Sequence, residues 1–341
     1  MPKPLAILKV LFALAMIASL AAPGSPGVLA AVVPTPQPLG SSQDGAIRQA
    51  LAQAVQQHTD IPAFVVYDIQ VSQIIYSREG DQALVWMAMV DKRTGKTQAT
   101  EPGLALAYRS SSQWQFSFLS DPDWQSQLAA LPPELLTRQI RDNFIIPAGA
   151  PATQFTGPVG GFYLPWAAGQ SKWLTMAANH LSCPANCRYA SDWADGTHFS
   201  ILAAKGGAVF AFRDTCANDD HACVNYLLLE DRSTSPYTYQ VYFHLEHNSI
   251  PTALKSANPP PVLQGQHIAN ADNTGFSTGS HLHFMVITNP YFCQPSWCNG
   301  DSYWWGTSID ITFRDVQTNW DAATQGWRPC TADYVAHGLC A

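Results

Sequence analysis

The sequence predicts a mainly β fold: an antiparallel sandwich or barrel-like domain preceded by a small α+β domain. Three observations lead there. Past residue 155, short strand-like runs follow one another with turn signals every few residues and no long helical period. Upstream, one helical repeat precedes four strand-like runs. Eight cysteines fall in neighbouring pairs, as in a chain stapled by short-loop disulfides in an oxidising compartment.

Residues 1–30 read as a secretory signal. Lys3 and Lys9 supply the charge, residues 10–22 are apolar apart from Ser19, and Val28-Leu29-Ala30 suits cleavage after Ala30. An uncleaved anchor is the alternative, but the run is short for a bilayer, and no other segment is apolar enough to cross one. Residues 31–43, rich in Pro, Ser and Gln, read as a linker. Residues 44–145 read as the small domain. A helix over 45–57, capped by Ser42 or Asp44, puts Ile47, Ala50, Leu51 and Val55 on one side. Strands over 64–76, 82–90, 104–109 and 114–119 follow as an antiparallel meander, closed by a short helix over 124–131. Nothing in this part has catalytic spacing, so a prodomain, an inhibitor-like segment and a binding module all remain open.

Pro132-Pro133 and residues 146–156 mark the connection to a β-rich domain over 155–341. Its strands are expected over 199–204, 208–213, 225–229, 240–245, 265–268 and 283–287. The cysteines pair most simply as Cys183/Cys187, Cys216/Cys223, Cys293/Cys298 and Cys330/Cys340, although spacing alone does not fix connectivity. A cysteine-zinc site would need Cys-x-x-Cys pairs, and there are none. Charged residues are 13% of the chain and the net charge is −7. That balance argues against nucleic acid or anionic lipid as partner, since both favour a basic surface. The 11 tryptophans are compatible with sugar or peptide contacts and equally with core.

The most informative stretch is Gly275-Phe276-Ser277-Thr278-Gly279-Ser280-His281-Leu282-His283-Phe284. Two imidazoles two residues apart on a strand point to one face. They can share a metal, or one can bind it while the other moves protons. Other candidates lie upstream: His180 in loop-like sequence, Asp192 in Tyr189-Ala190-Ser191-Asp192-Trp193, His198, and His244 in Val241-Tyr242-Phe243-His244-Leu245. Taken singly, His180 reads as a surface histidine, Asp192 as a turn residue and His244 as a sheet histidine. His247 and His267 read as structural or exposed. Glu246 would share a face with His244 only if the strand ran past Leu245, and Asn248-Ser249 signals a turn. The proline-rich loop 250–263 precedes a strand, and Tyr242, Phe276 and Trp193 are candidates for a groove wall or for core. Trp297, Tyr303 and Trp304 sit beside the Cys293/Cys298 pair in another aromatic loop.

Taken together, these pieces resemble the lysostaphin-type (LytM-like) zinc metalloendopeptidases over roughly residues 160–310. The resemblance is carried by Leu164-Pro165-Trp166 leading to Asn179-His180, by Asp192-Trp193, by Phe243-His244-Leu245, and above all by Gly279-Ser280-His281-Leu282-His283-Phe284. His180 and Asp192 are twelve residues apart. That is longer than in the family's compact His-x-x-x-Asp branch and looks closer to the staphylolysin and β-lytic type. The compact spacing from His198 lands on Leu202, which cannot bind a metal, yet His198 remains the rival first ligand.

The resemblance implies one Zn2+ per chain held by His180, Asp192 and His283, with His281 as general base and His244 as a second catalytic histidine. It implies a secreted or envelope enzyme, expected as a monomer with no membrane span after signal removal. Its substrate would be peptidoglycan peptide, including glycine-containing cross-bridges, or another glycine-rich peptide. The His-Glu-x-x-His helix of other zinc peptidases is absent. The alternatives are a non-hydrolytic LytM-like module that binds wall or a partner hydrolase, a protease acting on elastin-type proteins, and a zinc-free carbohydrate-binding module.

Overall fold

The computed structural model describes residues 42–137, 144, 155, 157–177, 179–182, 187–293 and 301–316, and the backbone of 318–321 and 326–329. The signal segment, most of the linker, and Cys183, Cys298, Cys330 and Cys340 lie outside the described residues.

Helix α1 (Ser42–Gln57) buries Ile47 and Leu51, the stripe that its sequence spacing predicts. It begins at Ser42 rather than Gly45. Helix α2 (Pro62–Val66) takes residues expected in the first strand. Proline in the first turn fits a helix start, because its missing N–H has no partner to lose there. Strand β1 (Tyr67–Tyr76), β2 (Gln82–Asp91), β3 (Gly103–Ser110) and β4 (Gln113–Ser117) then form an antiparallel meander, and α3 (Trp124–Ala129) follows.

Downstream come β5 (Val159–Phe162), β6 (Trp173–Met176), β7 (Ser191–Ala194), β8 (Ser200–Leu202), β9 (Ala208–Arg213), β10 (Tyr226–Asp231) and β11 (Thr238–Phe243). They are followed by β12 (His267–Asn270), β13 (Leu282–Cys293), β14 (Tyr303–Ser308), β15 (Ile311–Phe313), β16 (Thr318–Asp321) and β17 (Gly326–Pro329). A seven-stranded antiparallel sheet runs β6-β7-β13-β11-β10-β9, with β14 paired to β13. Smaller pairs join β8 to β12 and β16 to β17, and β5 lies parallel to β15. The fold is therefore mainly β, built from several antiparallel sheets.

The large sheet is covered on both faces, so its central strands bury apolar side chains on both. Period two sends Leu227, Leu229, Tyr242, Leu282, Phe284 and Val286 to one core and Leu228, Val241, Phe243, Met285 and Ile287 to the other. Trp193 and Tyr242 belong to the first core, and the Tyr242 hydroxyl is spent on Gln240 and the Ala204 amide. Neither lines a groove. Phe276 instead stands against Trp86 of β2, ring centres 5.9 Å apart.

Met176 and Leu181, on either side of His180, pack into the core of the first sheet with Met87, Met89 and Phe118. Three hydrogen bonds tie the same stretch to that region: Tyr67 Oη to the Leu174 carbonyl (2.5 Å), Asn179 Nδ2 to the Asp60 carbonyl (3.0 Å), and Leu104 N to the Leu181 carbonyl (3.1 Å). A Cys216–Cys223 disulfide is present, and Cys187 and Cys293 are also disulfide-bonded. Among the described residues, no helix is long and apolar enough to cross a membrane.

Candidate metal centre

Strand register builds the centre. β7 pairs with β13 so that Asp192 lies directly opposite His283, and β11 pairs with β13 so that Phe243 lies opposite His283 from the other side. Cross-strand partners stand close enough for side chains to touch. β6 pairs with β7 at Met176 and Asp192, and the chain then turns through Asn179 (φ 60) to deliver His180. β11 ends at Phe243, because His244 adopts a left-handed backbone (φ 61) and turns the chain out of the sheet. Strand alternation therefore does not relate His244 to Glu246, which is partly exposed and accepts a hydrogen bond from Asn270 Nδ2 (2.7 Å).

His180, Asp192, His244, His281 and His283 are brought together and buried, none more than 2% exposed. His180 Nε2 and His283 Nδ1 each lie 3.1 Å from Asp192 Oδ1. Asp192 Oδ1 and His283 Nδ1 make no hydrogen bond despite this approach. Donors converging on a common point behave this way. With metal–ligand distances of about 2.0–2.2 Å, two tetrahedral ligands lie about 3.3–3.6 Å apart. An unpaired buried carboxylate oxygen and ring nitrogen would otherwise be costly. The residues present thus fit a metal ion, with a fourth residue, Glu101, in the same group.

Glu101 reaches the centre from the loop between β2 and β3. Its Oε1 lies 3.3 Å from both His283 Nδ1 and His244 Nε2, and its Oε2 lies 3.6 Å from His180 Nδ1. Sequence reasoning misses it. It stands 91 residues from Asp192, in a stretch without catalytic spacing.

The surroundings orient each ring. Ser182 Oγ stands 2.8 Å from His180 Nδ1, leaving Nε2 to face Asp192. The His283 ring packs against Phe243 and Trp305, which stack on each other. His281 Nδ1 donates to the Gly279 carbonyl (2.9 Å), with Ser277 Oγ at 3.1 Å, so its other nitrogen keeps a lone pair. His281 Nε2 is buried without a hydrogen-bond partner, 3.6 Å from Asp192 Oδ2. Burial, reinforced by the neighbouring charge of His244, pushes His281 down to about 4. That keeps it neutral at neutral pH, with the Nε2 lone pair available. His244 Nδ1 donates to the Thr274 carbonyl (2.6 Å), which turns Nε2 toward Glu101.

Burial opposes ionisation of both carboxyls. For Asp192 it is outweighed by His180 and His281, and the group is held well below the usual carboxylate range. For Glu101 it is outweighed by His283 and His244, and the group falls to about 2. Burial likewise opposes a charge on His180, but Asp192 overcomes it and raises the ring's affinity for protons.

His198 is not part of this group. It is half-exposed, with Nε2 3.1 Å from Asp272 Oδ1 and Nδ1 3.6 Å from Glu246 Oε1. His267 is exposed and His247 is tied by Nδ1 to the Cys216 carbonyl (3.0 Å).

No protein-family model and no curated protein matches the chain. Solved structures do. The catalytic domain of lysostaphin from Staphylococcus simulans is similar at 20% identity over 38% of this chain and 79% of its own, with a TM-score of 0.24. A zinc-containing peptidase from Vibrio cholerae is similar at 14% identity over 80% of this chain and 95% of its own, TM-score 0.26. The prophage-encoded M23 protein EnpA from Enterococcus faecalis, as a point mutant of its catalytic domain, is similar at 14% over 44% and 94%, TM-score 0.27. Likenesses this distant decide nothing about the site, which rests on its own geometry.

Proposed function

We propose that the chain is a zinc metalloendopeptidase that cuts peptide bonds in bacterial cell-wall peptidoglycan, including glycine-containing cross-bridges. One observation carries this reading: buried donor atoms of His180, Asp192 and His283 converge at 3.1 Å beside two further imidazoles. Two imidazoles and one carboxylate form a set that zinc accepts while leaving a fourth position open. Zinc held there would polarise the scissile carbonyl and acidify a water.

The chain's own residues do the rest. His281 Nε2, with its lone pair free, takes the proton of the attacking water and returns it to the leaving amine. His244 Nε2, when it carries a hydrogen, donates to the carbonyl oxygen as charge develops on it. Burial of the group keeps competing water away and strengthens both contacts. The long spacing from His180 to Asp192 supports the staphylolysin and β-lytic type. The signal-like N-terminus and paired cysteines support a secreted or envelope protein.

A second reading has its own observation. With Glu101 the group counts four protein ligands, the number of a closed structural site, which would suit a non-hydrolytic module.

Metal analysis of the purified protein, paired with release of free amines from purified peptidoglycan, tests both. One zinc per chain, lost in His283→Ala and kept in His198→Ala, with amine release by the wild type or by Glu101→Ala, supports the peptidase. Zinc without amine release from either protein favours the closed site. Absence of zinc sinks both readings.

A further inference from the structure

The four-stranded sheet ends differently at its two edges. β1 carries a bulge between Val71 and Gln73, and the Arg48 guanidinium donates to the Val71 carbonyl (3.1 Å), so that edge is broken and partly covered. β4 forms the other edge, pairs with β3 without a break, and holds neither a charged residue nor a proline. Edges of that kind invite another strand, and proteins ordinarily blunt them. Ser110 and Gln113 close a two-residue turn, which makes Ser110/Gln113 and Tyr108/Gln115 the hydrogen-bonded pairs. Arg109 N accordingly donates the other way, to the Asp81 carbonyl (2.8 Å). The main-chain N–H and C=O of Trp114 and Phe116 therefore point away from β3, and among the described residues no hydrogen bond reaches them.

A cleft of about 470 Å³ runs along this edge, within the range of about 300–1,000 Å³ for ligand clefts. Residues 112–116 line it consecutively, as they do where a strand's edge rather than one of its faces borders a space. α1 forms the other wall with two rows at helical spacing: Ala46, Ala50 and Ala54, and beside them Gln49, Gln53 and Gln57. The alanines leave room, and the glutamines stand exposed with amides that both donate and accept. No lining residue is charged, in a chain of net charge −7. Trp114, at the wall, is 7% exposed and its Nε1 has no hydrogen-bond partner, which is uncommon for a buried indole.

We infer that the β4 edge and α1 form a docking cleft for an extended, uncharged, glycine-rich peptide, which adds to the sheet as a fifth strand. The open N–H and C=O of Trp114 and Phe116 pair with the incoming main chain, as in strand-addition recognition of peptides. An added strand lies about 4.8 Å from β4, and the side chains it turns toward α1 meet the alanine row, so small ones fit. Glycine has no side chain to read, and an open strand edge with glutamine amides reads main chain. A lining without charge offers an acidic or basic peptide no partner for its charges. The peptide's source is the glycine-containing cross-bridge of the wall, and only that assignment rests on the function proposed above. The cleft contains none of the residues of the metal centre, so it holds the peptide without cutting it and makes the upstream domain a wall-binding module.

The test follows the full chain by amide hydrogen exchange and NMR shifts, residue by residue. Pentaglycine is the probe, a glycine peptide of the same length with two aspartates is the control, and zinc is measured on the same samples. Wild type, Ala50→Leu and the double variant Gln49→Ala/Gln53→Ala are compared, each checked by thermal melting. Pentaglycine is expected to shift and slow the Trp114 and Phe116 amides, with the control binding at least about tenfold more weakly. Ala50→Leu fills the cleft and should weaken pentaglycine at least about tenfold. The double variant trims only exposed side chains, so it carries the test if Ala50→Leu folds poorly, and should weaken pentaglycine by about two- to tenfold per amide removed. Trp114 and Phe116 amides unmoved by pentaglycine in the folded wild type overturn the cleft, whether or not zinc is bound. Amides already slow without peptide, and slower as the protein is concentrated, make a second copy of the chain the occupant and overturn the peptide. Equal binding of the control overturns the uncharged assignment. Amides slowed by pentaglycine in a protein without zinc sustain the cleft and sink the metal reading alone.

Discussion

Two histidine–carboxylate clusters in this molecule contain the same residue types at the same distance and behave differently. In one, Asp192 Oδ1 meets His180 and His283 at 3.1 Å; in the other, Asp272 Oδ1 meets His198 at 3.1 Å. Both carboxylates are fully buried. Asp192, ringed by His180, His281 and His283 and by donors from Thr100 and Glu101, is held well below the ordinary carboxylate range. Asp272 is pushed upward by its burial, which the single half-exposed His198 does not offset. A 3.1 Å approach between imidazole and carboxylate is therefore no mark of a metal centre by itself. What separates the two is convergence: several rings aimed from different strands at one point, all shielded from water.

The comparison breaks most visibly if metal content fails to follow it. Asp192→Asn or His283→Ala is expected to abolish bound zinc, whereas Asp272→Asn and His198→Ala leave one zinc per chain, as measured on dialysed protein. Retention of metal by His283→Ala would merge the two clusters into one class.

Rate comes next, read on the Glu101→Ala protein so that a fourth protein ligand does not mask it. His281→Ala is expected to slow peptide hydrolysis by about 10²–10⁴-fold with zinc retained, the usual worth of a positioned proton acceptor. His244→Ala should cost about 10²–10³-fold, as for one donor to a developing oxyanion. An unchanged rate in His281→Ala would remove it from the chemistry.

A smaller effect is expected at Ser182, which stands 2.8 Å from His180 Nδ1. Ser182→Ala should weaken zinc affinity by about 10–100-fold, measured by competition with a chelator. Among the described residues His198 has no such hydroxyl, and its Nδ1 faces the partly exposed Glu246.

The smallest effect is on stability against pH. Burial raises Asp272 above its unfolded value, so between the two values the folded state binds more protons than the unfolded one. Stability from this group is therefore lost as pH rises through that window. Asp272→Asn removes the loss, and melting temperature against pH should fall less steeply in the variant across the weakly acid range. Parallel curves would mean that His198 neutralises Asp272 after all.

The two clusters were unequally legible in the sequence. His281 and His283 can be set on one face from strand period alone, and the failed spacing from His198 to Leu202 argues that His198 is no compact-type ligand. Neither argument gives the register that sets Asp192 opposite His283, because cross-strand pairing depends on partners far apart in the chain. The meander and its helix were legible from alternation and turn residues, with edges off by a few positions. Tyr242 and Trp193 are aromatic near a site and so suggest a groove, yet the two-sided burial of the large sheet makes them core. Glu101 left no local trace at all. A single acid in a loop is ordinary, and only the packing of one sheet against the loops of another gives it meaning.

That packing has a further consequence for how such a chain could be processed. Met176 and Leu181 flank His180 and are nearly fully buried in the core of the first sheet. A protease that trimmed away residues 44–145 would hand these two side chains to water, at about 1.5–3 kcal/mol apiece, and cut the three hydrogen bonds that steady the same loop. Trimming would loosen the loop that carries His180. A cut that left both halves associated would keep that histidine's bed intact.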